Sequence, residues 1–182
     1  MPAKIIDGKK IADKILNGLK DKIKNLKQKP GLALVLVGDN PASEIYVNFK
    51  EKTCKELEFY CERFNFDKNI GELDLLNLIN DLNQKTNIHG ILVQLPLPKQ
   101  IDESLITNSI LPHKDVDGFT AVNLGHLFSE NIILAPATAR AVLHLIESTG
   151  IKIEGKNAVV VGRSNIVGKP VAMMLLDKNA TV

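Results

Sequence analysis

Apolar runs rich in β-branched residues alternate along this chain with segments whose apolar residues recur at helical spacing. The run LALVLVG at 32–38 is continuously apolar, as strands buried on both faces are. Further runs of this kind lie at 59–66 and at 88–98, where Pro96 and Pro98 end the strand because proline cannot donate to a central ladder. Helical patterns separate these runs. The alternation predicts an α/β fold with a mostly parallel sheet and helices on both faces.

The helical patterns cover 11–26, 43–57, 72–83, 104–110 and 138–147. In the second of these, the apolar stripe repeats every four residues along one helix face, and we expect this face to be buried. Its members are Ile45, Phe49, Thr53 and Leu57. The strand, loop and helix order repeats at 158–175, and residues 180–182 have the character of a further strand.

This order predicts two domains. Residues 1–137 form an amino-terminal three-layer α/β domain, and 138–182 contain a linking helix and the first βα unit of a Rossmann-like domain. Such a domain normally contains further βα units, so we expect the second domain to be incomplete and the chain to be truncated.

The composition excludes several classes of protein. The 182 residues carry a formal net charge of +2 without the basic stripe of a nucleic-acid binder. No apolar run approaches the length of a membrane span, and the start of the chain lacks a signal peptide, so we expect a cytoplasmic protein. Cys54 and Cys61 are expected to be reduced.

The loop between the run at 158–161 and the next helix carries glycines at both ends, Gly162 and Gly168. Glycine allows the backbone to approach a ligand closely, and the N–H groups at a helix start favour an anion such as a dinucleotide phosphate. The middle glycine of the usual fingerprint is missing, so a tight turn without a ligand remains an alternative. Arg163 and Ser164 favour the additional phosphate of NADP, although Arg163 can equally be a solvated side chain. The candidate cofactor-binding residues are Gly162, Arg163, Ser164, Val167, Gly168 and Pro170.

Tyr46 and Lys50 lie four residues apart in the second helical pattern and therefore on one helix face. Partial burial beside the apolar stripe would suit Lys50 to proton transfer, whereas the nearby Lys52 and Lys55 indicate a solvated face instead. Short-chain dehydrogenases also use a Tyr-x-x-x-Lys pair, but theirs follows the nucleotide loop. Here it precedes the loop, which argues against that family.

Gln94 is predicted at the carboxyl end of a parallel strand, where ligand sites of α/β sheets form. Asp115 and Asp117 lie directly before a glycine turn. Taken alone, Gln94 can instead satisfy a backbone group, and Asp117 can be a turn former rather than a ligand contact. His113, Asp115 and Asp117 alternate, but no second ligand cluster supports a metal site, and we expect none.

Four segments in this order, VGDNPASEIYVNFKEK, GILVQLPLP, KDVDGF and VVGRSNIVGKP, resemble the bifunctional methylenetetrahydrofolate dehydrogenase/methenyltetrahydrofolate cyclohydrolase family. The resemblance covers nearly the whole chain. It implies NADP-dependent oxidation of 5,10-methylenetetrahydrofolate to 5,10-methenyltetrahydrofolate and its hydrolysis to 10-formyltetrahydrofolate, in one-carbon metabolism that supplies purine and amino-acid biosynthesis. It further implies a homodimer for the full-length form, with NADP as cofactor, a tetrahydrofolate derivative as substrate, and no metal.

The resemblance also assigns roles to individual residues. Lys50 would transfer protons in the hydrolysis, Gln94 would position Lys50, and Tyr46 would pack against the folate rings and orient Lys50. Asp117 would accept hydrogen bonds from the pterin, since a carboxylate suits a donor-rich edge. The substrate-binding residues implied in this way are Tyr46, Lys50, Gln94, Leu95, Pro96 and Asp117.

The chain departs from the family pattern at 136–141, where PATARA replaces Pro-Cys-Thr-Pro-x-Gly. Loss of the second proline and of the glycine, with Arg140 added, would alter the wall of the folate site. Two alternatives remain open: a non-catalytic folate-binding remnant or regulatory module, and an unrelated NADP-dependent reductase.

Overall fold

The structure, a computed structural model, describes residues 3–129, 132 and 134–182. In chain order its elements are α1 (Gly8–Lys24), β1 (Gly31–Val37), α2 (Pro41–Glu56), β2 (Tyr60–Phe66), α3 (Glu72–Gln84), β3 (Gly90–Val93), α4 (Glu103–Ser109), α5 (Ala121–His126), α6 (Ala137–Ser148) and α7 (Gly168–Leu176).

The three strands form a parallel sheet in the order β2-β1-β3. The central strand β1 pairs Gly31 with Tyr60 of β2 and Leu32 with Gly90 of β3. A single parallel bridge between Ile91 and Asp115 extends the sheet beyond β3. The α/β class and the parallel sheet predicted from the alternation are confirmed.

Helices cover both faces of this sheet. Alternate residues of β1, including Ala33 and Val35, pack with buried residues of α3 and α4 such as Ile79 and Ile106. The residues between them, Leu34 among them, pack on the other face against α2. This two-sided burial explains why β1 is continuously apolar. The predicted three-layer arrangement follows from it.

The chain divides into two compact units. Lys22–Val116 forms the sheet unit, and the residues up to Asp21 join Asp117–Val182 in the second unit. The second unit has its own apolar core, formed by buried residues that include Ala139, Met174 and Leu175. The predicted boundary between residues 137 and 138 separates a folate-binding domain from a nucleotide-binding domain. The two compact units describe packing and not ligand binding, so this boundary stays a prediction.

The buried face of α2 differs from the prediction. Ser43, Val47 and Cys54 are its buried residues, whereas Ile45 and Phe49 are 66% and 67% exposed. The expectation that the stripe is buried is therefore wrong for Ile45 and Phe49, whereas Leu57, directly after the helix, is buried. The buried face of α2 is the face that packs against the sheet. Val47 is the residue of α2 that packs with the apolar residues of β1 and β3.

No strand forms over 158–161 in the described chain, although the sequence predicts one there. Asn157 and Thr181 make a single parallel bridge, in which the Ala158 N–H donates to the Thr181 carbonyl at 2.7 Å. Val159 and Val161 are 90% and 99% exposed. A strand requires a neighbouring strand with which it forms a series of hydrogen bonds. In the described part of the chain, the pairing next to 158–161 is limited to the one bridge between Asn157 and Thr181.

Glu51 joins α2 to β2. Its carboxylate accepts from Arg63 at 3.0 Å and from Lys55 at 2.6 Å, and these hydrogen bonds from Lys55 and Arg63 lower the pKa of Glu51. A carboxylate whose pKa is lowered by folding stabilises the protein above its unfolded pKa, and this contribution is lost as the pH falls through the folded pKa.

We therefore expect Glu51→Gln to lower the free energy of unfolding at neutral pH by less than about 1 kcal/mol, because the ion pairs of Glu51 with Lys55 and Arg63 are partly exposed. The difference from the unmodified chain should disappear in acid. Urea unfolding at neutral and acid pH measures both values, and a difference that is equal at the two pH values would contradict the ion-pair explanation.

Candidate functional site

A capped helix start positions the Tyr46–Lys50 segment. The Asn40 side chain accepts from the backbone N–H groups of Ala42 and Ser43 at 3.0 and 3.2 Å, and Pro41 occupies the first helical turn. Both features favour a helix that begins here. The helix predicted over 43–57 is confirmed, and it begins at Pro41.

The structure brings Lys50 and Gln94 together, 44 residues apart in sequence. Lys50 Nζ donates to Gln94 Oε1 at 2.9 Å, and Lys50 is partly buried. Gln94 directly follows β3, and its backbone N–H donates to the Val35 carbonyl at 2.9 Å. The glutamine therefore lies at the carboxyl end of the sheet, as the sequence predicts.

The amide group of Gln94 is held at both ends. Its Nε2 donates to the Leu95 carbonyl at 2.8 Å, which leaves Oε1 as the atom that faces Lys50. An oxygen acceptor at this distance suits the ammonium form of the lysine. The segment that follows includes the cis peptide between Leu95 and Pro96.

Tyr46 precedes Lys50 by one helical turn and is 60% exposed. Its ring is therefore available to a ligand that approaches Lys50 from solvent. The predicted pairing of Tyr46 and Lys50 on one helix face is consistent with the helix that contains both residues.

Asp117 is the first residue of the carboxyl-terminal part of the second unit and is partly buried. The next residue, Gly118, has a φ of 69°, which a residue with a side chain rarely adopts. A Cβ at Gly118 would lie 2.8 Å from the Ala135 carbonyl carbon, so glycine also permits close backbone packing here. The predicted glycine turn after Asp117 is confirmed, and the role of Asp117 stays a prediction.

Lys114 fixes the segment before this turn. Its buried ammonium donates to the carbonyls of Leu82, Asn83 and Lys85 at 2.8 to 3.0 Å and so caps the carboxyl end of α3. Burial lowers the pKa of Lys114. Nothing in the sequence pattern distinguishes this lysine from its neighbours; the nearest signal is its place in the KDVDGF segment.

The glycine loop closes tightly on itself. A Cβ added at Gly168 would lie 2.5 Å from the carbonyl carbon of Gly162 and 2.7 Å from the Arg163 nitrogen. Only a residue without a side chain fits at 168, as the fingerprint requires for close packing of helix and loop. Pro170 is buried within the first turn of α7, whereas Arg163 is exposed.

Ser164 organises the same loop. Its Oγ accepts from the Val167 and Gly168 N–H groups at 3.1 and 3.3 Å. The sequence predicts that N–H groups at this helix start are free for an anion, but these two already have a hydroxyl partner. A phosphate at this position would replace or share those hydrogen bonds.

A groove of about 720 Å³ opens beside the loop. Gly162, Ser164 and Gly168 line one part of it, and apolar residues such as Val142 and Ile153 line another. Its size falls within the usual range for sites of small molecules and cofactors.

Neither cysteine forms a disulfide: Cys54 and Cys61 are both free. Burial, with a smaller contribution from Cys61, raises the pKa of Cys54 to about 12. Such a thiol is rarely ionised and is therefore unreactive.

Among the residues that the structure describes, no group of three or more His, Cys, Asp or Glu side chains could hold a metal ion. Of the helices in the described ranges, none has the length and apolar character needed to cross a membrane.

The parallel sheet, the lysine–amide pair at its carboxyl end and the glycine loop define an α/β protein with a dinucleotide-type turn. Residues 6–117 match the family model for the tetrahydrofolate dehydrogenase/cyclohydrolase catalytic domain, and residues 136–182 match that for its NAD(P)-binding domain. The chain belongs to the tetrahydrofolate dehydrogenase/cyclohydrolase family.

Curated relatives support this membership. The bifunctional protein FolD of Streptococcus uberis is 48% identical over 98% of this chain and 64% of its own length. The FolD protein of Moorella thermoacetica is 49% identical over 100% of this chain and 66% of its own length. The chain thus spans about two thirds of the length of these relatives.

Solved structures show the same fold. The bifunctional FolD dehydrogenase/cyclohydrolase of Campylobacter jejuni superposes with a TM-score of 0.95 at 45% identity, over 98% of this chain and 65% of that one. The Trypanosoma brucei enzyme, solved with NADP and an inhibitor, also has a TM-score of 0.95, at 35% identity, over 100% of this chain and 64% of that one. The predicted family is therefore confirmed.

Proposed function

We propose that this protein oxidises 5,10-methylenetetrahydrofolate with NADP and hydrolyses the resulting 5,10-methenyltetrahydrofolate to 10-formyltetrahydrofolate. The observation that carries the proposal is the hydrogen bond of 2.9 Å from Lys50 to Gln94 at the carboxyl end of the sheet. Family membership and the FolD relatives, which are named bifunctional, support the choice of substrate.

Lys50 acts in the hydrolysis. Water attacks the amidinium carbon of the methenyl bridge, and a proton must move before the ring opens. An amine whose position is fixed by an amide oxygen can take part in this transfer. Gln94 holds the amine in place, and the Leu95 carbonyl in turn keeps the Gln94 oxygen directed at it.

Tyr46 and Asp117 bind the folate. Tyr46 lies one helical turn before Lys50, and its exposed ring packs against the folate ring system. The Asp117 carboxylate accepts from the amino and ring N–H groups of the pterin. Leu95 and Pro96 shape the segment next to Gln94.

The glycine loop holds the phosphates of NADP, which serves as the hydride acceptor. Two observations support the binding of NADP at this loop. Gly168 has no side chain, and a Cβ there would collide with the Gly162 backbone. A groove also lies next to the loop. Arg163, exposed at the loop, provides a cation for the additional phosphate, and Val167 and Gly168 provide backbone donors. The homodimer stays a prediction of the family resemblance, and the cytoplasmic location stays a prediction from the sequence.

A spectrophotometric assay of NADP-dependent methenyltetrahydrofolate formation tests the proposal. We expect absorbance from the methenyl product, followed by its loss through hydrolysis. Folate binding without turnover would favour the non-catalytic binding module instead. Protection against thermal unfolding by another substrate, and not by folates, would favour an unrelated reductase.

Replacement of Asp117 should weaken substrate binding. We expect Asp117→Ala to raise the folate dissociation constant by about 10- to 100-fold, because charge-assisted hydrogen bonds to the pterin are lost. Asp117→Asn, which keeps one acceptor oxygen, should have a smaller effect. Calorimetric titration measures both, with Asp177→Ala as the control because Asp177 is an exposed aspartate of the same unit. An unchanged affinity in Asp117→Ala would reject the assignment.

A further inference from the structure

The first residue of α4 holds the loop at 94–102, which connects β3 to α4. Glu103 Oε1 accepts from the backbone N–H of Leu97 at 2.8 Å, six residues back in the sequence. Leu97 is buried, and a buried N–H group without a partner costs free energy. The carboxylate supplies that partner, and a hydrogen bond to a charged acceptor is stronger than one between neutral groups.

Leu97 is the point at which this part of the loop is fastened through a backbone donor. Its neighbours on both sides are Pro96 and Pro98, and proline has no N–H group. Of residues 96–98, Leu97 is therefore the one whose backbone can donate. Loss of the Glu103 carboxylate would release this stretch, since neither proline can supply a replacement donor.

The fastened residue lies close to the group that orients Gln94. The Leu95 carbonyl accepts from Gln94 Nε2 at 2.8 Å. Pro96 alone separates Leu95 from Leu97, and its ring fixes one of the soft backbone dihedrals between them. A hydrogen bond that holds Leu97 therefore also restricts the Leu95 carbonyl. This carbonyl keeps Gln94 Oε1 directed at Lys50 Nζ, 2.9 Å away.

The helix start that carries Glu103 is itself fixed. The Asp102 side chain caps α4 by accepting from the N–H groups of Ser104 and Leu105 at 2.8 and 3.1 Å. The Asp102 N–H donates to Glu72 Oε2 at 2.7 Å, which joins the start of α4 to α3. These contacts give the Glu103 carboxylate a defined position from which to hold the loop.

We propose that Glu103 is a positioning residue for the hydrolysis, which acts on Lys50 through the loop and Gln94. The inference rests on the proposed function, in which Lys50 moves the proton. Oxidation by NADP passes a hydride to the nicotinamide and takes no proton from Lys50. Loss of the carboxylate should therefore lower hydrolysis more than oxidation. A carboxylate that only stabilised the helix start would change both rates alike.

The test measures both reactions of the full chain. We expect Glu103→Ala to lower kcat for hydrolysis of 5,10-methenyltetrahydrofolate by about tenfold, with KM and the rate of oxidation changed by less than about twofold. Glu103→Gln keeps an acceptor oxygen without the charge, so its hydrolysis should lie between those of Glu103→Ala and the unmodified chain. Where Glu103→Ala does not fold, Glu103→Gln gives the same comparison with a smaller loss.

Asp74→Ala is the matched control. Asp74 is an exposed acidic residue in the first turn of α3, in the same compact unit. Its loss removes the same kind of charge from a helix start, and the ratio of hydrolysis to oxidation should stay unchanged.

A double variant tests whether Glu103 acts through Lys50. In a Lys50→Met background, Glu103→Ala should cause no further loss of hydrolysis, because two residues that act through one group are not additive. A further loss of the size seen in Glu103→Ala alone would show that the carboxylate acts by another route.

Hydrogen exchange of the Leu97 amide gives a measurement that does not depend on activity. Its protection should fall by about tenfold in Glu103→Ala, because the acceptor is lost. The Gln94 N–H donates to the Val35 carbonyl at 2.9 Å and should keep its protection. Unchanged protection of Leu97 would show that Glu103 does not hold the loop.

Equal losses of hydrolysis and oxidation in Glu103→Ala, or no loss of hydrolysis, would overturn the positioning role while the proposed function stands. An unmodified chain that does not hydrolyse methenyltetrahydrofolate would instead overturn the proposed function, and the positioning role with it.

Discussion

Lys50→Met is expected to reduce the hydrolysis of 5,10-methenyltetrahydrofolate by at least about 100-fold while the protein still binds folate. Methionine has a similar length and no proton to transfer, and general acid–base groups typically contribute factors of this size. The substitution also removes the donor to Gln94 Oε1. The loss of absorbance of the methenyl substrate measures the rate, and calorimetric titration measures the affinity.

Two further variants separate the reasons for that loss. Lys50→Arg keeps the positive charge but transfers protons poorly, since a guanidinium stays protonated, so its hydrolysis should remain low. Lys22→Met removes an exposed lysine of α1 and should leave both rate and affinity unchanged. Hydrolysis at the normal rate in Lys50→Met would remove Lys50 from its role.

Gly168→Ala is expected to abolish detectable binding of NADP. The added Cβ would lie 2.5 to 2.7 Å from three backbone atoms of Gly162 and Arg163, so the loop must open for the side chain to fit. Because the contacts are with backbone and not with flexible side chains, the strain cannot be relieved locally. Displacement of these backbone groups would remove the phosphate donors that the loop provides. Titration with NADPH, followed by its fluorescence, measures the loss.

Gly125→Ala is the matched control, because a Cβ at Gly125 meets no atom within 4 Å. Its NADPH titration should match that of the unmodified chain. Folate affinity in Gly168→Ala should also be retained, since the proposed folate residues are elsewhere in the sequence. NADPH binding of normal strength in Gly168→Ala would show that the loop does not hold the dinucleotide.

The sequence predicted the sheet well because each strand carries its own signal. The run at 32–37 is apolar at every position because both faces of β1 are covered, and helices lie between the strands as parallel connections require. The buried face of α2 could not be predicted in the same way. Ile45 and Phe49 have the spacing of a core stripe, yet the sheet packs against Val47.

The run at 158–161 is a case in which the sequence predicts a strand and the described structure has none. Its valines have a strong β preference, but preference alone does not provide the neighbouring strand that a ladder needs. Similarly, the sequence places Gly162 and Gly168 at the ends of a loop, but only the folded backbone shows that Gly168 lies against Gly162.

By itself the sequence determined the α/β class, the family and the residue types of the candidate site, because periodicity and motif order are properties of the chain alone. Tertiary structure decided that Lys50 Nζ meets Gln94 Oε1, that Lys114 caps α3, and that Phe49 stays in solvent. These depend on contacts between segments distant in sequence, since side-chain partners are set by packing and not by local spacing.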